Sequence, residues 1–192
     1  MRFSEQLRQV AAEVWEAQHE HPFVGGIADG TLDGDRFCFY IRQDYLFLID
    51  YGRSLALACA RAPRLELMER FAALAQSTLR TEMELHRAYA AEWEVSLAQL
   101  EAEPPQAATR AYTDFLLRTA ALGDFAELVA ALACGATANS DSGSHDSHRR
   151  PSRAMRAGSR CTPGTSSQGW PAGVARSATR PPRASPRTAN RG

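Results

Sequence analysis

The feature that most constrains this chain lies at Cys134, where a regular apolar pattern gives way to Ser, Arg, Gly and Pro. From residue 135 to residue 192 there is no Leu, Ile, Phe or Tyr, and the large apolar side chains dwindle to Met155, Trp170 and Val174. Fixing the backbone of one residue costs about 1–2 kcal/mol of conformational entropy, which burial has to offset. A segment of this composition has little to set against that cost. The sequence therefore predicts a low-complexity, disordered tail over 135–192 and a fold confined to residues 1–134. Charge divides at the same place: residues 1–134 hold 20 acidic residues against 12 arginines, whereas 135–192 hold 10 arginines against Asp141 and Asp146. The balanced total of 22 basic and 22 acidic residues is an average of two unlike parts, net −8 and net +8.

Within residues 1–134 the apolar positions recur at helical spacing, and no bounded run alternates as a half-buried strand would. Leu7, Val10, Ala11 and Val14 predict a helix over 4–19 with Ser4 as its N-cap. Pro22 suits the first turn of a short helix that Gly30 closes. After a turn at Asp33-Gly34, one long helix is predicted from Asp35 to about Ala60. Arg64 to Trp93 carries a third apolar series, as one helix or two. Ser96 can cap a short turn, Pro104-Pro105 breaks the chain, Thr109 to Ala120 forms another helix, and Gly123-Asp124 restarts the pattern through Leu128 and Leu132. The predicted class is an all-α bundle. No apolar run reaches the roughly 18 residues of a membrane span, and the N-terminus lacks a basic-then-apolar leader. A soluble, cytoplasmic protein with no membrane partner is expected. Cys38, Cys59, Cys134 and Cys161 have no regular spacing, which predicts free thiols rather than a disulfide framework or zinc site.

Several residues stand out chemically. In the long helix the stripe Phe37, Ile41, Asp44, Leu48, Tyr51, Leu55, Ala58 places a carboxylate inside an apolar face, where it needs a partner. Asp44 is therefore either a buried acid satisfied by a neighbouring hydroxyl or Arg, or a pocket acid aimed at a polar ligand. Phe47 lies one turn on and walls the pocket or packs in the core. Glu82 and His86, four apart, share a helix face and could supply two metal ligands. A di-iron bundle, however, needs carboxylate and His ligands on other helices too, and a solvated Glu82–His86 pair with no metal is the expectation. Cys134, at the end of an apolar helix, reads on pattern as a small hydrophobe, and Tyr112 as a core residue. The tail arginines are not interleaved with aromatics, so no nucleic-acid partner is expected.

The stretch HPFVGGIADGTLDGDRFCFYIRQDYLFLIDYGR, from His21 to Arg53, resembles the signature of the TenA/thiaminase II family: His-Pro-Phe, then Gly-Thr-Leu, then Phe-x-x-Tyr-x-x-Gln-Asp-Tyr. The likeness continues through TEMELHRAY, AYTDFLL and the helix ending at Cys134. It implies a helical bundle of the haem-oxygenase type, usually a homotetramer, that hydrolyses aminopyrimidines derived from thiamin, and thiamin itself, releasing hydroxymethylpyrimidine for salvage without a cofactor. By that resemblance Asp44 binds the aminopyrimidine and stabilises its protonated ring, Phe47 and Tyr112 line or stack on it, and Cys134 is the nucleophile that adds to it. Alternative readings are an oxidase of the same fold, metal-dependent or similar to the pyrroloquinoline quinone synthesis enzyme, with Glu82 and His86 as ligands or substrate contacts, and a non-catalytic regulatory protein.

In the family the Cys is followed by Cys-Trp-x-Tyr and by helices that bring a second Tyr and a Glu proton donor. Here Gly135-Ala136-Thr137-Ala138 follows. Residues 134 to 144 can be encoded so that one added T after the Cys134 codon yields Cys-Trp-Gly-Tyr-Gly-Glu-Leu-Gly-Gln-Arg-Leu. The same frame over Ala157 to Gln168 permits Trp-Ile-Glu-Met-Tyr-Ala-Gly-Asp-Glu-Phe-Ala, which matches the family's Trp-Ile-x-x-Tyr-x-x-x-Glu-Phe. The sequence thus predicts a frameshift at Cys134, an incomplete bundle and impaired or lost activity.

Overall fold

The computed structural model describes the backbone of residues 3–141 and the side chains of residues 5, 6 and 8–133. Of the tail expected over 135–192, residues 135–141 continue the last helix, and 142–192 lie outside the described residues, as do the side chains of Cys134 to Asp141. Nine α-helices run in order among the described residues, with no strand: α1 (Phe3–Val10), α2 (Ala12–His19), α3 (Pro22–Asp29), α4 (Gly34–Arg61), α5 (Leu65–Ser77), α6 (Met83–Glu92), α7 (Leu97–Ala102), α8 (Ala107–Leu122) and α9 (Phe125–Asp141). A π-helical turn, Thr78–Glu82, joins α5 to α6 without a loop. None of these helices is long and apolar enough to cross a membrane.

Local chemistry sets most of the boundaries. The His21 ring Nδ1 accepts from the Phe23 amide at 3.1 Å, and Pro22 fills a first-turn position whose N–H would have had no partner. Gly30 ends α3 in the left-handed region at φ 71°, a conformation that costs glycine least. The chain then turns so tightly that a Cβ on Gly26 would lie 3.2 Å from the Leu32 Cα. Asp33 caps α4, its Oδ1 accepting from the amides of Asp35 and Arg36 at 3.1 and 3.2 Å. Ser96 and Gln99 form a capping box at the start of α7. Asp124 and Glu127 exchange backbone-to-carboxylate hydrogen bonds of 2.8–2.9 Å at the start of α9. The Arg61 guanidinium, at the end of α4, donates to the carbonyls of Ala120 and Gly123 and so covers the C-terminus of α8.

Helix α4 is the axis of the bundle and packs against α5, the π turn, α6, α7, α8 and α9. Its N-terminal half contributes Phe37, Cys38, Ile41, Tyr45 and Leu48 to a core with Met83, Tyr89, Trp93, Val95 and Leu100. Its C-terminal half contributes Leu55 and Ala58 to a second cluster with Ala75, Ala120, Leu128 and Leu132. Where α4 meets the π turn, a Cβ on Gly52 would sit 2.7 Å from Leu79 Cδ2, so this glycine is what permits the close approach.

Three expectations change. The single helix over 4–19 is interrupted at Ala11, and α1 already includes Ser4, so Ser4 is not an N-cap; nothing else in the structure explains the break. The Arg64 to Trp93 segment is continuous through a π turn rather than one regular helix or two separate ones. Cys59 carries a free thiol, whereas Cys38 is disulfide-bonded; irregular spacing along a chain says nothing about distance in space. Large apolar side chains such as Leu65, Leu74 and Leu122 are more than half exposed.

Candidate active site

The Gln-Asp-Tyr run of α4 sends three adjacent side chains to three different neighbours. Gln43 satisfies the chain break at Pro104-Pro105: its Nε2 donates to the Pro104 carbonyl at 3.2 Å, and its Oε1 accepts from the Gln106 amide and the Thr109 hydroxyl at 2.9 Å each. That fixes the start of α8, on which Tyr112 sits one turn later. Tyr45 is 1% exposed, and the Arg87 guanidinium lies 6.0 Å from its ring centroid. Asp44, between them, faces α6.

Asp44 Oδ2 lies 2.7 Å from His86 Nε2 and accepts from the Tyr40 hydroxyl at 3.3 Å. The other His86 nitrogen, Nδ1, lies 2.8 Å from the Glu82 carbonyl oxygen. The expected solvated Glu82–His86 pair is thereby corrected: His86 is 6% exposed, and it pairs across helices with Asp44 rather than along its own helix with the Glu82 carboxylate. The π turn ending at Glu82 supplies the carbonyl that Nδ1 meets, and such turns frequently mark functional sites. Of the open alternatives for Asp44, the satisfied acid describes one oxygen only. The side chain remains 22% exposed, and among the described residues its hydrogen bonds fall on Oδ2.

The electrostatics follow from the geometry. The charge of Asp44, burial and the Asp44 hydrogen bond together hold the Tyr40 hydroxyl well above its ordinary range, so it stays a donor. Burial and the Glu82 carboxylate raise Tyr51. Burial pulls His86 down, but the hydrogen bond and charge of Asp44, with the carbonyl and carboxylate of Glu82, outweigh it and leave His86 raised.

Phe47 and Tyr51 continue the Asp44 face along α4, one and two turns on. The Phe47 ring stacks on Tyr112 with centroids 5.4 Å apart and planes 7° apart, and on Tyr51 at 5.3 Å and 23°. A flat ligand between two rings needs about 3.5 Å of clearance on each face. The Phe47–Tyr112 stack is therefore closed, and a ligand would meet its outer faces or edges. Cys134 lies in α9 two residues beyond Leu132, which belongs to the cluster that Tyr51 packs against. Its side chain is outside those described. Tyr40 and Gln43 carried a signal only as part of the motif; Tyr51 stood in the Asp44 stripe without an assigned role, and His86 was matched with Glu82 rather than with Asp44.

Among the described residues, the all-α bundle thus sets a carboxylate–imidazole pair on the same side of α4 as an aromatic stack. The TENA/THI-4/PQQC family profile matches residues 8–154, past Cys134. The chain belongs to this family. It is 45% identical over 132 residues to the aminopyrimidine aminohydrolase of Halalkalibacterium halodurans, covering 69% of this chain and 59% of that protein. It is 42% identical over 132 residues to the aminopyrimidine aminohydrolase of Bacillus subtilis, covering 69% of this chain and 56% of that one. The chain thus spans less than two thirds of these relatives' lengths. Among solved structures, a TenA family transcription regulator from Silicibacter sp. superposes with a TM-score of 0.73 at 30% identity, covering 80% of this chain and 68% of that one. The TenA homologue of P. horikoshii gives 0.72 at 26%, covering 81% and 74%. The all-α TenA-type fold class expected from sequence is the one observed.

Proposed function

We propose that residues 1–134 form the ring-binding part of a thiaminase II-type hydrolase acting on aminopyrimidines derived from thiamin, and on thiamin, to release hydroxymethylpyrimidine. The observation that carries this reading is the unengaged oxygen of Asp44 beside the Phe47–Tyr112–Tyr51 stack. A carboxylate oxygen there accepts from the amino group or a protonated ring nitrogen, and the aromatic faces hold the ring plane. The Cys134 thiolate is then the nucleophile that adds to the electron-poor ring, the amine or thiazole leaving with a proton and water later displacing the thiol. The aminopyrimidine aminohydrolases among the relatives support this assignment.

A one-base shift after Cys134 belongs to the same proposal. The loss of large apolar residues after it, the recovered Cys-Trp-x-Tyr and the recovered Trp-Ile-x-x-Tyr-x-x-x-Glu-Phe support it. On this reading the frame-restored protein is a cytoplasmic homotetrameric enzyme, while the 192-residue chain has impaired or no turnover. The oxidase reading gains no support from His86, whose two ring nitrogens are directed at Asp44 and the Glu82 carbonyl. The test is an assay of aminopyrimidine hydrolysis with both chains. The expected result is turnover only after restoration. Turnover by the 192-residue chain overturns the impairment, and an inactive, folded restored chain overturns the hydrolase assignment.

A further inference from the structure

We propose that His86 is a positioning residue that carries a proton on both ring nitrogens, holding Asp44 as a carboxylate with Oδ2 bound by the protein and Oδ1 kept as an acceptor for the ligand. The ligand half of this inference rests on the pyrimidine-site reading above.

The Glu82 carbonyl oxygen, 2.8 Å from Nδ1, can only accept, so Nδ1 bears a hydrogen. A neutral imidazole with that tautomer presents a lone pair at Nε2. At 2.7 Å from Asp44 Oδ2, that lone pair would face a carboxylate lone pair, so a proton lies between them. Oδ2 also accepts from the Tyr40 hydroxyl. An oxygen that takes two donors fits an ionised carboxylate better than the hydroxyl of a carboxylic acid, and this assigns the proton to His86.

The surrounding groups agree. Among the described residues, Asp44 and Tyr40 face the imidazole from α4 and Glu82 from the π turn, while Tyr51 also senses Glu82. On its own helix, Glu84 is paired with Arg87. The carboxylates together outweigh burial and favour the imidazolium. The consequence is directional: Oδ1 welcomes an amino group or ring N–H and disfavours a lone pair, and the carboxylate loses the Nε2 donor that orients it when His86 loses its second proton.

The experiment uses the full chain. Nitrogen NMR of histidine-labelled, ligand-free protein should show His86 as imidazolium at neutral pH, with its titration moved to lower pH in Asp44→Asn. A neutral His86 in the wild-type protein overturns the proposal whatever the ligand is. Calorimetric titration with hydroxymethylpyrimidine across pH supplies the second arm. Wild-type affinity should fall on the alkaline side, His86→Gln should bind without that limb, and His86→Leu should bind roughly tenfold or more weakly. An alkaline limb unchanged in His86→Gln marks His86 as merely structural and overturns the proposal. No pyrimidine binding by a protein whose His86 is charged overturns the pyrimidine-site reading, and the ligand half of the inference with it.

Discussion

Two carboxylates meet cationic partners around α4, at positions two residues apart, and the molecule treats them differently. Arg42 Nη1 bonds Glu103 Oε2 at 2.8 Å, with the two side chains 4% and 6% exposed. Asp44 meets His86 at 2.7 Å, with His86 just as covered but Asp44 at 22%. The first pair ties α4 to the end of α7 and closes over. The second ties α4 to α6 and leaves the Asp44 side chain partly exposed. Being two residues apart on a helix sends them to well-separated faces, one into packing and one toward the aromatic stack. A buried ion pair adds little net stability against its desolvation, though losing one partner is costly. The closed pair therefore fixes register, while the half-open pair sets the charge and orientation of an acid that something else can reach.

The largest expected effect breaks the closed pair. Glu103→Ala takes the carboxylate away from the buried Arg42 guanidinium and should lower stability by about 3–5 kcal/mol, measured by urea denaturation. Next comes the contact that seats the π turn: Gly52→Ala places a Cβ against Leu79 and should cost about 1–3 kcal/mol, with relief when combined with Leu79→Ala. Breaking the half-open pair should cost less than breaking the closed one, since Asp44→Asn keeps its shape and loses about 1.5–3 kcal/mol of charged hydrogen bonding.

That third comparison sharpens with pH. His86 is raised above its ordinary 6.5, so the stability it contributes is fully present below that value and is lost as pH rises through the higher folded value. The stability gap between wild type and Asp44→Asn should narrow on the alkaline side, whereas the gap to Glu103→Ala should not follow that titration. The smallest effect lies away from both pairs: Ser96→Ala removes the capping box of α7 and should cost about 1 kcal/mol in the same denaturation series.

What could be read from the sequence divides along the same lines. Boundaries written in adjacent residues were legible, because a cap or a turn is a local contract: His21-Pro22, Gly30, Asp33 and Ser96 mark helix ends that the structure keeps. Asp44 was legible as an acid in an apolar face in need of a partner. The partner was not, because His86 lies 42 residues away and its spacing to Glu82 suggested a different pair. The π turn escaped for a related reason: an extra residue per turn leaves no compositional mark, and Gly52, which makes room for Leu79, sits on another helix. Phe47 and Tyr112 were joined only through the family resemblance, and the structure brings their rings face to face. Their closed stack, and the role of Gln43 in setting the start of α8, depend on packing between segments that no local pattern encodes.

The most direct measurement is a calorimetric titration of the full 192-residue chain with hydroxymethylpyrimidine, beside its Asp44→Asn variant, once circular dichroism has shown both to be folded. Saturable one-site binding by the wild type is expected, weakened roughly tenfold or more in the variant by loss of a charge-assisted hydrogen bond. Equal binding by both proteins, or none by a folded wild type, would contradict it.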